Sequence, residues 1–74
     1  MVTMIHTAKI NNSAQAVAHL EKIVKHFQDR GKMINVVAEP GHFGKIKLTV
    51  KIVDSSVIKV HALANTFQTM ITGW

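Results

Sequence analysis

The chain has no cysteine and no tyrosine, only one proline, and four acidic residues among 74. Without cysteine it cannot form disulfides, thiolate zinc sites, iron–sulfur clusters or a cysteine nucleophile, which is typical of proteins in a reducing compartment. No apolar run approaches the roughly 18–20 residues of a membrane span, and no basic segment followed by an apolar one opens the chain. These absences predict a cytoplasmic protein without a membrane segment.

The length and charge of the chain limit its size class and its partners. Seventy-four residues, 47% of them hydrophobic, predict one domain, 1–74, which buries only about 60% of its unfolded surface. So high an apolar share suggests that a partner or a second copy covers part of the surface. The net charge of +5 favours acidic partners such as nucleic acid, although many small domains with this imbalance bind none.

The pattern that organises the chain is the alternation from Gly44 to Val53. Its aliphatic residues alternate with polar ones, Ile46, Leu48, Val50 and Ile52 against Lys45, Lys47, Thr49 and Lys51. A period of two places the two sets on opposite faces of a strand. Helices must then cover the aliphatic face, while the lysines remain on an open face.

Three further elements precede this strand. Val2–Ile10 is rich enough in β-branched residues for a first strand, and Met33–Glu39 is a second strand that the turn Pro40–Gly44 joins to the organising strand. Between them lies a helix with Asn12 as predicted N-cap and Gly31 as the left-handed residue that ends it. Its predicted buried stripe is Val17, Leu20, Val24 and Phe27, with Ile23 flanking it.

A second helix follows the organising strand. Any of Asp54, Ser55 and Ser56 can cap it, and it is predicted to run to about Met70. Its predicted buried side is Val57, Val60, Leu63, Ala64, Phe67, Met70 and Ile71. The segment Thr69–Trp74 is left as the stub of a further strand.

The order strand, helix, strand, strand, helix predicts an α+β fold, a ferredoxin-like two-layer sandwich whose fourth strand is missing or vestigial. Right-handed crossovers place the third strand beside the first and leave the second at an edge. Val2–Ile10 is then an exposed edge with Lys9 as its only charge. Because proteins seldom leave such an edge bare, we expect one of the two edges to pair with another chain, most simply in a homodimer.

Several positions match a known family. Arg30-Gly31 stands at the end of the first helix, Ile34-Asn35 lies in the strand after it, and Lys45–Val53 is an alternating strand after a hairpin. In this the segment from Val17 to Glu39 resembles ACT domains, above all the single-ACT small regulatory subunits of acetolactate (acetohydroxyacid) synthase. Ile58–Phe67 is similar to the last helix of that family.

The resemblance implies an ACT-like fold and a non-catalytic subunit without a cofactor. In that family the subunit binds and activates a larger thiamine-diphosphate synthase of amino-acid biosynthesis, sometimes conferring feedback inhibition by a branched amino acid. Effector-binding members carry Asn-x-Pro-Gly between the first strand and helix. Asn11 and Asn12 are the matching ligand-binding candidates, but Gln15 stands where the family has its glycine and the proline is absent.

The sequence predicts neither a catalytic site nor a metal site. His19 and His26 are seven residues apart, too far to chelate one ion from one helix, and the acids do not cluster in sequence. The serines have capping roles, and His61 has no orienting acid within reach. The turn 41–44 joins antiparallel strands, whereas a phosphate loop leads into a helix. We therefore expect no enzymatic activity.

The lysines make nucleic-acid binding the main alternative function. The open face carries Lys9, Lys45, Lys47 and Lys51, and RNA-recognition domains of this topology stack bases on that face. Phe27 and Phe67 are predicted to be buried, so the face lacks stacking aromatics and could grip only the phosphate backbone. Phe43 in the turn is an exposed candidate anchor for a partner. Two other interpretations are that the lysines form a docking face for an acidic protein, or that the chain is a module that inhibits another enzyme.

Overall fold

The computed structural model describes residues 1–72. Along the chain these residues form β1 (Val2–Asn11), α1 (Ala14–Asp29), β2 (Met33–Pro40), β3 (Lys45–Asp54) and α2 (Val57–Thr72). The predicted order of elements is confirmed, and the strand bounds agree with the prediction to within one residue. Neither helix of this part of the chain combines the length and the apolarity needed to cross a membrane.

The three strands form one antiparallel sheet in the order β1-β3-β2. Thr7 of β1 lies opposite Thr49 of β3, which in turn lies opposite Val37 of β2. The prediction that the third strand lies beside the first, with the second strand at an edge, is confirmed. Within residues 1–72 no fourth strand covers the outer side of β1.

Both helices pack on the aliphatic face of the sheet, as predicted. The core consists of Ala8, Leu20, Ile23, Phe27, Ile34, Leu48, Val50, Ile52, Val60, Ala64, Phe67 and Ile71. The β3 residues in this set are fully buried, because the central strand has a neighbour on each side and helices above it. The prediction for Val57 is wrong: 55% of this side chain is exposed, since it opens the first turn of α2.

The ends of α1 show one wrong prediction and one confirmed. Ser13, not Asn12, is the N-cap, since its Oγ accepts a hydrogen bond from the Ala16 N–H at 3.1 Å. The first hydrogen bond of the helix, from the Val17 N–H to the Ser13 carbonyl at 3.1 Å, places the cap at Ser13, while the Asn12 N–H extends the β1–β3 ladder by donating to the Gly44 carbonyl at 2.9 Å. Gly31 ends the helix as predicted, with a φ of +76° that favours glycine.

The start of α2 selects one of the three predicted caps. Ser56 Oγ accepts a hydrogen bond from the Lys59 N–H at 3.3 Å, whereas Asp54 binds the turn before the helix. The Ser55 N–H donates to Asp54 Oδ1 at 2.6 Å. This hydrogen bond lowers the pKa of the Asp54 carboxyl, while desolvation by burial acts in the opposite direction. The stabilisation that this hydrogen bond gives the folded protein is present above the ordinary pKa of aspartate. It is lost as the pH falls through the lowered pKa of Asp54.

The predicted strand stub at the end of the chain is wrong for the part that the structure describes. Residues Thr69–Thr72 continue α2, whereas Gly73 and Trp74 lie outside the described residues. The helix continues because Ile71, which is 8% exposed, completes the buried stripe begun by Val60, Ala64 and Phe67.

Candidate partner-binding face

The helices leave one face of the sheet uncovered, and we call it the open face. It consists of the odd-numbered strand residues: Thr3, Ile5, Thr7, Lys9 and Asn11 on β1, Lys45, Lys47, Thr49, Lys51 and Val53 on β3, and Met33, Asn35, Val37 and Glu39 on β2. All of these side chains are exposed or half-buried. The structure therefore places all four predicted lysines on the same face.

The lysines concentrate at the end of the open face nearest the β2–β3 hairpin. Lys9 lies directly opposite Lys47, which has Glu39 on its other side. Lys45 occupies the next position and donates a hydrogen bond to Asn11 Oδ1. Like charges opposite each other destabilise a strand pair, so a carboxylate or phosphate on a binding partner would relieve the Lys9–Lys47 repulsion.

The other end of the open face, which we call its apolar end, carries the exposed apolar side chains among threonines, Asn35 and Lys51. Ile5, Met33 and Val37 are 57%, 56% and 56% exposed, and half-buried Val53 lies beside Met33. Lys51 is the one lysine among them, opposite Ile5. Sequence reasoning chose only the lysines as the site on this face. Strict period-two alternation through β1 and β2 was the signal that could have identified these apolar residues.

Phe43 occupies the tip of the β2–β3 hairpin in an unfavourable conformation. The Lys45 N–H donates to the His42 carbonyl at 3.2 Å, and the two residues between them, Phe43 and Gly44, have φ of 59° and 70°. These features define a type I′ turn, which strongly prefers Asn-Gly at its centre. The Phe43 side chain is 100% exposed, so packing within residues 1–72 does not explain an aromatic residue here.

Replacing Phe43 with asparagine should stabilise the isolated protein. Asparagine tolerates the left-handed region that costs other residues about 1 kcal/mol or more. We expect Phe43→Asn to raise the free energy of unfolding in urea by about 1 kcal/mol. Phe43→Ala is the control, because it removes the same ring but keeps the strain and should change stability by less than about 0.5 kcal/mol. Equal stability of the two variants would contradict this explanation.

The two asparagines predicted as ligand-binding residues have different positions. Asn11 lines a cleft of about 370 Å³ between the end of β1, the start of α1 and the end of α2. Lys9, Ser13, Gln15 and Lys45 line the same cleft, and His19 closes it toward α2 through its Nε2 contact with the Met70 carbonyl at 3.2 Å. Asn12 is not among the lining residues.

The other polar side chains considered for chemistry either have structural roles or lie exposed. Ser13 and Ser56 cap the helices, and His6 Nε2 lies 2.8 Å from Gln68 Oε1. His26 and His61 are exposed on the two helices. Within residues 1–72 no three His, Asp or Glu side chains come together in a way that could hold a metal ion. The open face is therefore the feature from which a function can be argued.

Comparisons with protein-family models, with curated proteins and with solved structures found no match to this chain. We therefore infer its function from the geometry of the open face and of the strand edges beside it.

Proposed function

We propose that this chain is a non-catalytic regulatory or activating subunit that acts by binding a larger catalytic protein. In this proposal the α+β fold is ferredoxin-like and ACT-like, the location is cytoplasmic, and the partner is a synthase of the acetolactate synthase kind. The strand-helix-strand-strand-helix order and the β1-β3-β2 sheet support the fold assignment. The resemblance in sequence supports the choice of partner.

The observation that carries the proposal is the apolar end of the open face. Three large apolar side chains, Ile5, Met33 and Val37, are each more than half exposed on one sheet surface. Exposed apolar side chains grouped on one surface and interspersed with polar ones are a feature of protein–protein interfaces. The lysine end of the face borders this group, and it fits a partner with acidic groups beside its own apolar patch.

Binding and activation can be tested with the purified catalytic subunit of an acetolactate synthase from the same organism. We expect the tagged chain to retain this subunit through a high-salt wash and to increase acetolactate formation. The variant Met33→Glu/Val37→Glu should weaken binding about 100-fold, because two charges enter the buried centre of the interface. Circular dichroism of the variant checks that its fold is intact.

A matched control separates the open face from a general effect of surface carboxylates. Ile58 is 81% exposed on α2, on the opposite side of the molecule from the open face, so Ile58→Glu makes the same kind of change elsewhere. We expect the control to bind and activate like the unmodified chain. Retention and activation that persist in the Met33→Glu/Val37→Glu variant would contradict the assignment of the open face, and no binding of the synthase by the unmodified chain would contradict the proposed function.

The second candidate function is nucleic-acid binding, which the lysine end of the open face favours. Lys45, Lys47 and Lys51 follow one another along β3, and Lys9 lies beside Lys47. Four lysines on one face can contact successive phosphates. The open face has no aromatic residue on which bases could stack, and Phe43 lies at its end in the hairpin. Such binding would be weak and sensitive to salt.

A further inference from the structure

The two edges of the sheet expose different backbone groups, and hydrogen bonds near the hairpin identify them. The Asn12 N–H donates to the Gly44 carbonyl, and the Gly41 N–H donates to the Lys45 carbonyl, both at 2.9 Å. In an antiparallel ladder, alternate residues point their N–H and C=O groups to the same neighbour. The even residues of β1 therefore bond to β3, and its odd residues point outward. On β2 the assignment is reversed, so that its even residues point outward.

The outer edge of β2 is protected against pairing with another strand. Pro40 occupies one of its outward positions and has no N–H to offer. At another, the Ile34 carbonyl accepts a hydrogen bond from Gln28 Nε2 at 3.4 Å. These are the devices by which proteins prevent an edge strand from pairing with another chain.

The outer edge of β1 has no comparable protection. Thr3, Ile5, Thr7 and Lys9 each present an outward N–H and C=O along a ten-residue strand, and Lys9 is its only charged residue. Thr3, Ile5 and Thr7 are exposed, so these backbone groups border solvent. An edge this long, with this little charge, is a template for another strand.

The flank of α2 above this edge is also uncharged. Gln68 marks that flank, because its Oε1 contacts His6 of β1 and its Nε2 donates to Thr72 Oγ1 at 3.0 Å. Residues at helical spacing from Gln68 on the same side are Val57, His61, Asn65 and Thr72. Lys59 is the single charged residue of α2, whereas α1 carries Glu21, Lys22, Lys25 and Asp29. The strand edge and the helix flank together form one nearly uncharged side of the molecule.

We propose that this side binds a second copy of the same chain, with β1 pairing antiparallel to β1 of the second copy in a continuous six-stranded sheet. A two-fold axis at His6 pairs nearly the whole strand, placing Val2 opposite Ile10 of the second copy and Thr3 opposite Lys9 of the second copy. On the helix face Val2 then lies opposite Ile10 and Met4 opposite Ala8 of the second copy, while His6, at the axis, lies opposite His6 of the second copy. Across the whole register no two lysine or acidic side chains oppose each other, so β1 is complementary to itself.

The size of this side is sufficient for a dimer. A ten-residue strand is about 34 Å long, and the shortest dimension of the molecule is 18 Å. Multiplying the strand length by this dimension gives a contact area of about 600 Å² per copy. The total of about 1,200 Å² lies at the lower end of the areas that stable interfaces bury. The inference goes beyond the proposed function and is tested on the purified chain alone, so the failure of one does not imply the failure of the other.

Proline substitutions at the two edges make a matched test. Thr7→Pro removes an N–H that points outward from β1, and Ala38→Pro removes one that points outward from β2; neither N–H bonds to β3. We expect sedimentation equilibrium to give twice the chain mass of 8.2 kDa for the unmodified protein and for Ala38→Pro. Thr7→Pro should weaken dimerisation about 100-fold, because each copy loses a hydrogen bond and meets a ring at the edge.

If Thr7→Pro does not fold, cross-linking tests whether two copies pair through β1. The chain has no cysteine, so Thr7→Cys and Ala38→Cys each introduce a single thiol. A short bis-maleimide should join two copies of Thr7→Cys, since the paired strands bring these residues to within about 7–8 Å, and should leave Ala38→Cys uncoupled. A monomeric unmodified protein, a Thr7→Pro dimer of unchanged affinity, or coupling through Ala38→Cys rather than Thr7→Cys would each overturn the proposal.

Discussion

Replacing Phe67 with alanine is expected to remove a large part of the stability of the protein. Phe67 is 0% exposed, and its ring lies 6.4 Å from the ring of Phe27 on α1 and 6.4 Å from that of His6 on β1. It therefore joins both helices to the sheet. Buried Phe→Ala substitutions cost about 3–5 kcal/mol, and a domain of this size has a total stability of only about 4–11 kcal/mol.

Thermal and urea unfolding of Phe67→Ala should show this loss. At a fixed chain concentration we expect the midpoint temperature to fall by about 15–30 °C. Phe43→Ala is the matched control, because it is the same chemical change at a side chain that is 100% exposed. It should shift the midpoint by less than about 4 °C. A loss below about 1.5 kcal/mol in Phe67→Ala would mean that Phe67 is not at the centre of the core.

The core and the order of elements could be predicted because their signals are local. Alternation along β3 and the three- and four-residue steps of the helices depend only on neighbouring residues. Gly31 could be assigned because few other residues adopt its positive φ. Local signals also left ambiguities, as at Asn12 and Ser13. Both are good caps, but Asn12 still pairs with Gly44, distant in sequence, at the end of the β1–β3 ladder, and the helical hydrogen bonds begin at Ser13.

The candidate site could be predicted only in part, because it depends on non-local pairing. The alternation places Lys45, Lys47 and Lys51 on one face, but the β1–β3 register is what sets Lys9 directly opposite Lys47. Likewise, the backbone direction at Thr7 follows from a hydrogen bond at the far end of the ladder. No pattern within β1 alone tells which of its N–H groups face outward.

Charge reversal on the open face is expected to separate the two candidate functions. Lys47→Glu/Lys51→Glu and the control Lys22→Glu/Lys25→Glu on α1 each lower the net charge by 4, from +5 to +1. They differ only in the surface that they change. We expect the open-face variant to abolish any binding of a single-stranded oligonucleotide, and the control to reduce that binding only modestly, since it leaves the phosphate contacts intact.

Protein association should respond differently to both charge and salt. Four lysine–phosphate contacts predict about a 50-fold loss of oligonucleotide affinity between 50 and 200 mM salt, whereas an interface with an apolar centre should lose less than about threefold.

The dimer through β1 should persist in Lys47→Glu/Lys51→Glu, because backbone hydrogen bonds and uncharged side chains form it. Capture of the catalytic partner should be weakened but not abolished, because Lys51 lies within the apolar end opposite Ile5 whereas Lys47 lies outside it. Loss of dimerisation in this variant alone would show that the open face, and not the β1 edge, joins the two copies. A steep salt dependence of partner capture would instead favour the nucleic-acid function, because nucleic acid would then be the bridge between the two proteins.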